Sequence, residues 1–188
     1  EEPHPTLTHE MAHLFAAQLV PRVPVCWKIG IHEGIAVAAE WNEESARLEL
    51  TVDQAGAAMD SLGLLPSLER SLSAAGFWSQ PAPRVYTACG SFVRYLLERG
   101  GMDRFRVLWR RGDFEDAYGV PLSTLLGEWR AWLRQVPIGP RELRRAERLY
   151  RPGGIFQQPC GHELARLERQ AALAAGRGDH AAAQALGM

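Results

Sequence analysis

Lysine is almost missing from this chain: of 21 basic residues only Lys28 is not an arginine, a bias that reads as codon usage and not as chemistry. Cysteine is scarce as well. Cys26, Cys89 and Cys160 lie far apart and form no CxxC pair, which argues against a zinc ribbon and a disulfide framework and leaves the redox compartment open. No apolar run approaches the ~20 residues that a membrane-spanning helix needs, so no direct membrane contact is expected. An excess of charge of either sign is lacking too. With a formal net charge of -1, nothing global points to nucleic acid or to an anionic surface as a partner. The chain opens on Glu1 without a signal-peptide pattern, so a longer natural protein is expected and the compartment stays unassigned.

Strand signals are also few. Only "ARLELTV", ending at Val52, alternates in the way a strand would, and the fold is therefore expected to be all-α. Apolar residues at Met11, Leu14, Phe15 and Leu19 suit a helix starting near Thr6, and "IHEGIAVAAEW" suits a second from Gly30 to Trp41. "TVDQ", Thr51 to Gln54, has the form of a capping box and opens a third helix through Met59. Another is expected near Ser67 to Ala75, followed by the loop "SQPAPR". Then "GSFVRYLLERGG", "MDRFRVLWRRG", "DFEDAYG", "PLSTLLGEWRAWLRQV" and "GPRELRRAERLY" each carry helical periodicity broken by Gly or Pro. Residues 1–156 read as one helical domain, and residues 157–188 as a C-terminal helical hairpin or the first unit of a helical repeat.

Against this background "THEMAH", Thr8 to His13, stands out. His9 and His13 are four apart, which on a helix stacks them on one face about 6 Å apart, within reach of a single ion. Glu10 lies on the adjoining edge, able to touch a water without being a ligand. This is the HExxH arrangement, and composition alone produces one such match in roughly 1–2% of chains of this kind. A catalytic zinc needs a third protein ligand and an open position. Glu33 in "HEGIAVAAE" stands twenty residues beyond His13 on the second expected helix.

"HEMAH" followed by "EGIA" resembles the gluzincin zinc peptidases. The stretch "YTACGSFVRYLLERGGMDRFRVLW" to "LLGEWRAWL" is similar to the peptidase MA-like family, distant relatives of zinc aminopeptidases. The resemblance covers roughly Thr6 to Val136. It implies a helical catalytic subdomain, a zinc ion held by His9, His13 and Glu33, Glu10 as general base, and a peptide or protein as substrate. It also implies a β-sheet subdomain upstream of the HExxH helix, which would cover some of Leu14, Phe15, Ile31 and Ile35. Glu40, seven residues beyond Glu33, matches the carboxylate that orients a ligating histidine from behind. Tyr86 matches the tyrosine that stabilises the oxyanion, although its offset of four to Gly90 is one longer than the family's usual three.

Other residues tempt less. Cys160 and His162 supply only two donors, and His32 is expected to be a loop contact or part of the cleft wall rather than a ligand. "WRR" at Trp109 to Arg111 and "LRRAER" at Leu143 to Arg148 read as solvated helix faces, and Trp129 with Trp132 as core. Two rivals to the peptidase stay open. One is a degenerate peptidase-like domain used as a binding or scaffolding module; the other is a helical interaction module with accidental histidines.

Overall fold

The computed structural model describes residues 5–19, 28–40 and 50–151, together with Gln170 and Gly176. In chain order the described residues form α1 (Pro5–Ala17), α2 (Ile29–Glu40), α3 (Val52–Ser61), α4 (Leu68–Ser71), α5 (Ala74–Trp78), α6 (Ala82–Arg111), α7 (Phe114–Tyr118), α8 (Leu122–Leu133) and α9 (Pro140–Tyr150). Among the described residues there is no strand, as expected for an all-α class. The chain divides into two compact units, Glu1–Arg151 and Pro152–Met188. The expected C-terminal hairpin, with Cys160 and His162, lies almost wholly outside the described residues, as does most of "ARLELTV".

Local chemistry explains where several helices begin. At α3 the Thr51 hydroxyl accepts from Gln54 N–H at 3.1 Å while the Gln54 side-chain oxygen accepts from Thr51 N–H at 3.0 Å. This is the reciprocal cap anticipated from "TVDQ". Pro83 falls in the first turn of α6, where a missing N–H costs nothing. Part of the expected loop "SQPAPR" is therefore the start of the longest helix. The helix expected over Ser67 to Ala75 is instead the short pair α4 and α5. Each opens on a serine, Ser67 and Ser73, whose hydroxyl caps its first turn.

Two expected helices, "GSFVRYLLERGG" and "MDRFRVLWRRG", run together as α6. The break survives only as a kink at Gly101, with φ 68° and ψ 179°, a conformation that glycine adopts without a side-chain clash. The last third of α6 is thereby re-aimed without a loop. α6 is the hub of the domain: α2 lies along it most extensively, α3, α4, α7, α8 and α9 also pack on it, and α1 packs on α2. Trp109, Trp129, Phe77, Phe92, Phe105, Leu96 and Leu125 are fully buried in one core, each stabilising the fold by about 1.5–3 kcal/mol through its lost apolar surface. Trp109 thus belongs to the interior, correcting its reading as part of a solvated face; only its neighbours Arg110 and Arg111 are exposed. Trp129 is core, as expected.

One buried polar cluster ties three helices together. Ser91 on α6 donates its hydroxyl to Asp53 Oδ1 on α3 at 3.1 Å and accepts Trp129 Nε1–H from α8 at 3.2 Å. Arg94 Nε lies 2.9 Å from the other Asp53 oxygen. Burial raises the Asp53 carboxyl above its ordinary value, opposed by the Arg94 charge and the Ser91 hydroxyl.

The α2–α6 crossing is unusually close, and two glycines allow it. A Cβ on Gly34 would lie 2.6 Å from the Cys89 carbonyl oxygen and 2.8 Å from Val93 Cγ2. From the other side, a Cβ on Gly90 would lie 2.5 Å from Val37 Cγ1. Real side chains do not approach so near, so these residues set how deeply α2, and Glu33 with it, sits against α6.

α1 is anchored more lightly. Ala16 is buried, and Arg110 Nε–H donates to the Leu19 carbonyl at 3.3 Å. The outer face of α1 is bare: Leu7, Met11, Leu14 and Phe15 are 52%, 41%, 67% and 60% exposed. Ile31, expected on the same open face, is instead in the core at 1% exposure, and Ile35 is partly buried. No helix among the described residues is long and apolar enough to cross a membrane.

Candidate metal centre

The helical repeat puts His9 and His13 one turn apart on α1, and α2 places Glu33 opposite them. The three donor atoms form a nearly equilateral triangle. His9 Nε2 is 3.3 Å from His13 Nε2 and 3.4 Å from Glu33 Oε2, and His13 Nε2 is 3.7 Å from the same oxygen. A tetrahedral ion with bonds of about 2.0–2.1 Å holds its ligands about 3.3–3.4 Å apart. The donor set of two imidazoles and one carboxylate is also one that zinc accepts. On spacing and chemistry the residues fit the ion. Among the described residues no other three His, Cys, Asp or Glu side chains bring donor atoms together in this way.

The surroundings orient the donors. His9 Nδ1 lies 3.5 Å from Glu40 Oε2, a direction that favours the proton on Nδ1 and leaves the Nε2 lone pair facing the triangle. The Glu33 carboxyl is held below the usual range, first by the His32 imidazole beside it and then by His13 and His9, against the opposing effect of burial. His13 is lowered by burial first, then by the neighbouring His32 and His9, with Glu33 and Glu10 acting the other way. Both shifts favour the forms that bind a cation, a carboxylate and a neutral imidazole. Side-chain exposures of 16–18% for His9, His13 and Glu33 describe a centre sunk into the surface but open on one side.

Glu10 is exposed, one residue along α1 from His9, and its charge reaches His13. Tyr86 projects from the first turns of α6 with its ring centroid 6.5 Å from that of His9, braced edge-on by Phe77 at 5.0 Å. Burial, then the Glu33 charge, raises its hydroxyl pKa above the ordinary tyrosine value. Beside it a cleft of about 330 Å³ is lined by His9, Val37, Glu40, Tyr86, Leu149 and Tyr150, among others.

His32 is not one of the three grouped donors. Its ring stacks on His13, with centroids 4.4 Å apart and planes 13° apart, and its Nδ1 lies 3.7 Å from Glu33 Oε1. Sequence gave a hint only in its place next to Glu33. Cys89, the free cysteine among the described residues, is buried against α2, and burial pushes its thiol far up, which disfavours the thiolate. No family model, curated protein or solved structure matches the chain.

Proposed function

We propose that the chain is the catalytic part of a zinc-dependent peptidase of gluzincin type. The observation that carries this reading is the triangle of His9, His13 and Glu33 donors, backed by Glu40, with Glu10 on the same helix as the two histidines. His9, His13 and Glu33 would hold the ion. Zinc bound there supplies Lewis acidity toward a water and toward the scissile carbonyl.

The remaining work falls to the chain. Glu10 accepts the proton of the attacking water and returns it to the leaving amine as the C–N bond breaks. The Tyr86 hydroxyl donates a hydrogen bond to the oxygen that gains charge in the tetrahedral intermediate. Glu40 holds the His9 ring in its ligating orientation. The cleft beside Tyr86 offers a partly apolar recess next to the scissile bond. In this reading the bare face of α1, with Leu7, Met11, Leu14 and Phe15, packs against the β-sheet layer that the resemblance implies.

Elemental analysis of protein purified without a chelator or a metal column tests the proposal, together with Glu10→Gln in the full protein. About one zinc per chain is expected, and the variant should keep it while peptide hydrolysis falls by at least ~10²-fold. Zinc retained without hydrolysis even in the unaltered protein would favour the binding-module rival. Absence of zinc with no uptake on titration would reject both.

A further inference from the structure

A column of four near-parallel rings runs from the hydrophobic core to the candidate metal centre. Phe105 stacks on Trp109 at 6.0 Å and 30°, Trp109 on His32 at 5.7 Å and 16°, and His32 on His13 at 4.4 Å and 13°. Phe105 and Trp109 are 0% and 1% exposed and belong to the last third of α6, beyond the Gly101 kink. The inner end of the column is therefore rigid. Its outer end is one of the three donors, and its third ring also touches another, since His32 Nδ1 faces Glu33 Oε1 while Glu33 Oε2 faces His9 and His13.

We infer that His32 is a positioning residue that sets two of the three metal donors at once, fixing the plane of His13 by stacking and the rotation of the Glu33 carboxylate through Nδ1. This rests on the zinc reading of the site. The need for such a residue follows from what is missing elsewhere. His9 is oriented by Glu40, whereas His13 Nδ1 is buried and has no hydrogen-bond partner among the described residues. A ligating imidazole is ordinarily oriented through its second nitrogen. Among the described residues, the contact His13 does have is the flat His32 ring pressed on its face, with centroids 4.4 Å apart. Glu33 likewise depends on its second oxygen. A carboxylate free to turn about its last torsion would present either oxygen to the ion, whereas one with Oε1 drawn toward His32 Nδ1, 3.7 Å away, is biased to present Oε2. The kink matters for the same reason: Gly101 turns the end of α6 so that Trp109 backs His32.

The test compares zinc affinity, by competition with a chelator, in the unaltered protein and in His32→Ala, His32→Phe and His32→Gln, with unfolding of each measured free of metal. His32→Ala should weaken zinc binding by ~10–100-fold, with the metal-free unfolding midpoint nearly unchanged because His32 is partly exposed. His32→Phe restores the stacked face and His32→Gln restores a polar group near Glu33, so each should recover part of the loss. Alanine binding zinc as tightly as histidine overturns the inference. So does a loss of affinity matched by an equal loss of metal-free stability across all three variants, since that is the mark of general support. Should the alanine variant not fold, the phenylalanine variant decides: wild-type affinity there removes the Glu33 half of the role and refutes the proposal as stated. Failure of the unaltered protein to take up zinc is a different result, which overturns the zinc reading itself.

Discussion

Gly34→Ala is a perturbation for which two physical effects predict opposite signs. In a helix interior alanine is favoured over glycine by about 1 kcal/mol, because glycine loses more backbone entropy on folding. Propensity alone therefore predicts a more stable protein. Packing predicts the reverse. The new methyl would lie 2.6 Å from the Cys89 carbonyl oxygen and 2.8 Å from Val93 Cγ2, where ordinary contacts begin at about 3.5 Å. The first obstacle is main chain in the middle of α6 and cannot rotate away, so α2 must move outward by on the order of 0.5–1 Å. Overpacking of this kind costs about 1–3 kcal/mol, and the gap between 2.6 Å and an ordinary contact puts this case toward the upper end. After the propensity gain, a net loss of about 1–2 kcal/mol is expected in urea or thermal unfolding.

The same shift carries Glu33, one residue away, out of the donor triangle. Sites tolerate displacements of only about 0.5 Å, so zinc affinity should fall at least ~10-fold in chelator competition. Gly127→Ala is the control: nothing lies within 4 Å of its would-be Cβ on the exposed side of α8, so propensity acts alone and stability should rise by up to ~1 kcal/mol. A Gly34→Ala protein as stable as the original, or more so, would refute the close crossing and the argument that it positions Glu33.

Three further outcomes are expected. Tyr86→Phe should lower kcat by ~10²-fold or more in the full protein with KM nearly unchanged; an unaltered rate would return Tyr86 to a wall residue beside Phe77 and Trp78. Glu40→Gln should weaken zinc binding by ~10-fold or more through the loss of the charged partner of His9 Nδ1, and unchanged affinity would leave Glu40 without a role at the centre. Leu125→Ala, at a position with 0% exposure, should lower the unfolding free energy by about 2–5 kcal/mol. That loss should leave zinc affinity of the folded protein intact, because Leu125 lies on α8, away from the donors.

What the amino-acid sequence by itself determined is what neighbouring residues decide among themselves. The i, i+4 pair of His9 and His13 is an outcome of helical pitch, and the Thr51–Gln54 cap is closed within four residues. The all-α class follows from periodicities no longer than two turns. Even the Gly100–Gly101 break was legible, because glycine in pairs weakens a helix wherever it occurs. Whether the chain would stop there or only kink was not legible, since that depends on what lies beside it. Tertiary structure alone set the 3.4 Å between His9 and Glu33, because the glycines that admit α2 so close to α6 act through atoms more than fifty residues away in the chain. It likewise decided that Trp109, beside two arginines in sequence, turns inward, and that His32, about 100° around the helix from Glu33, leans onto His13. Such outcomes depend on which helical faces meet, and that is governed by burial of apolar surface across the whole domain rather than by the residues on either side.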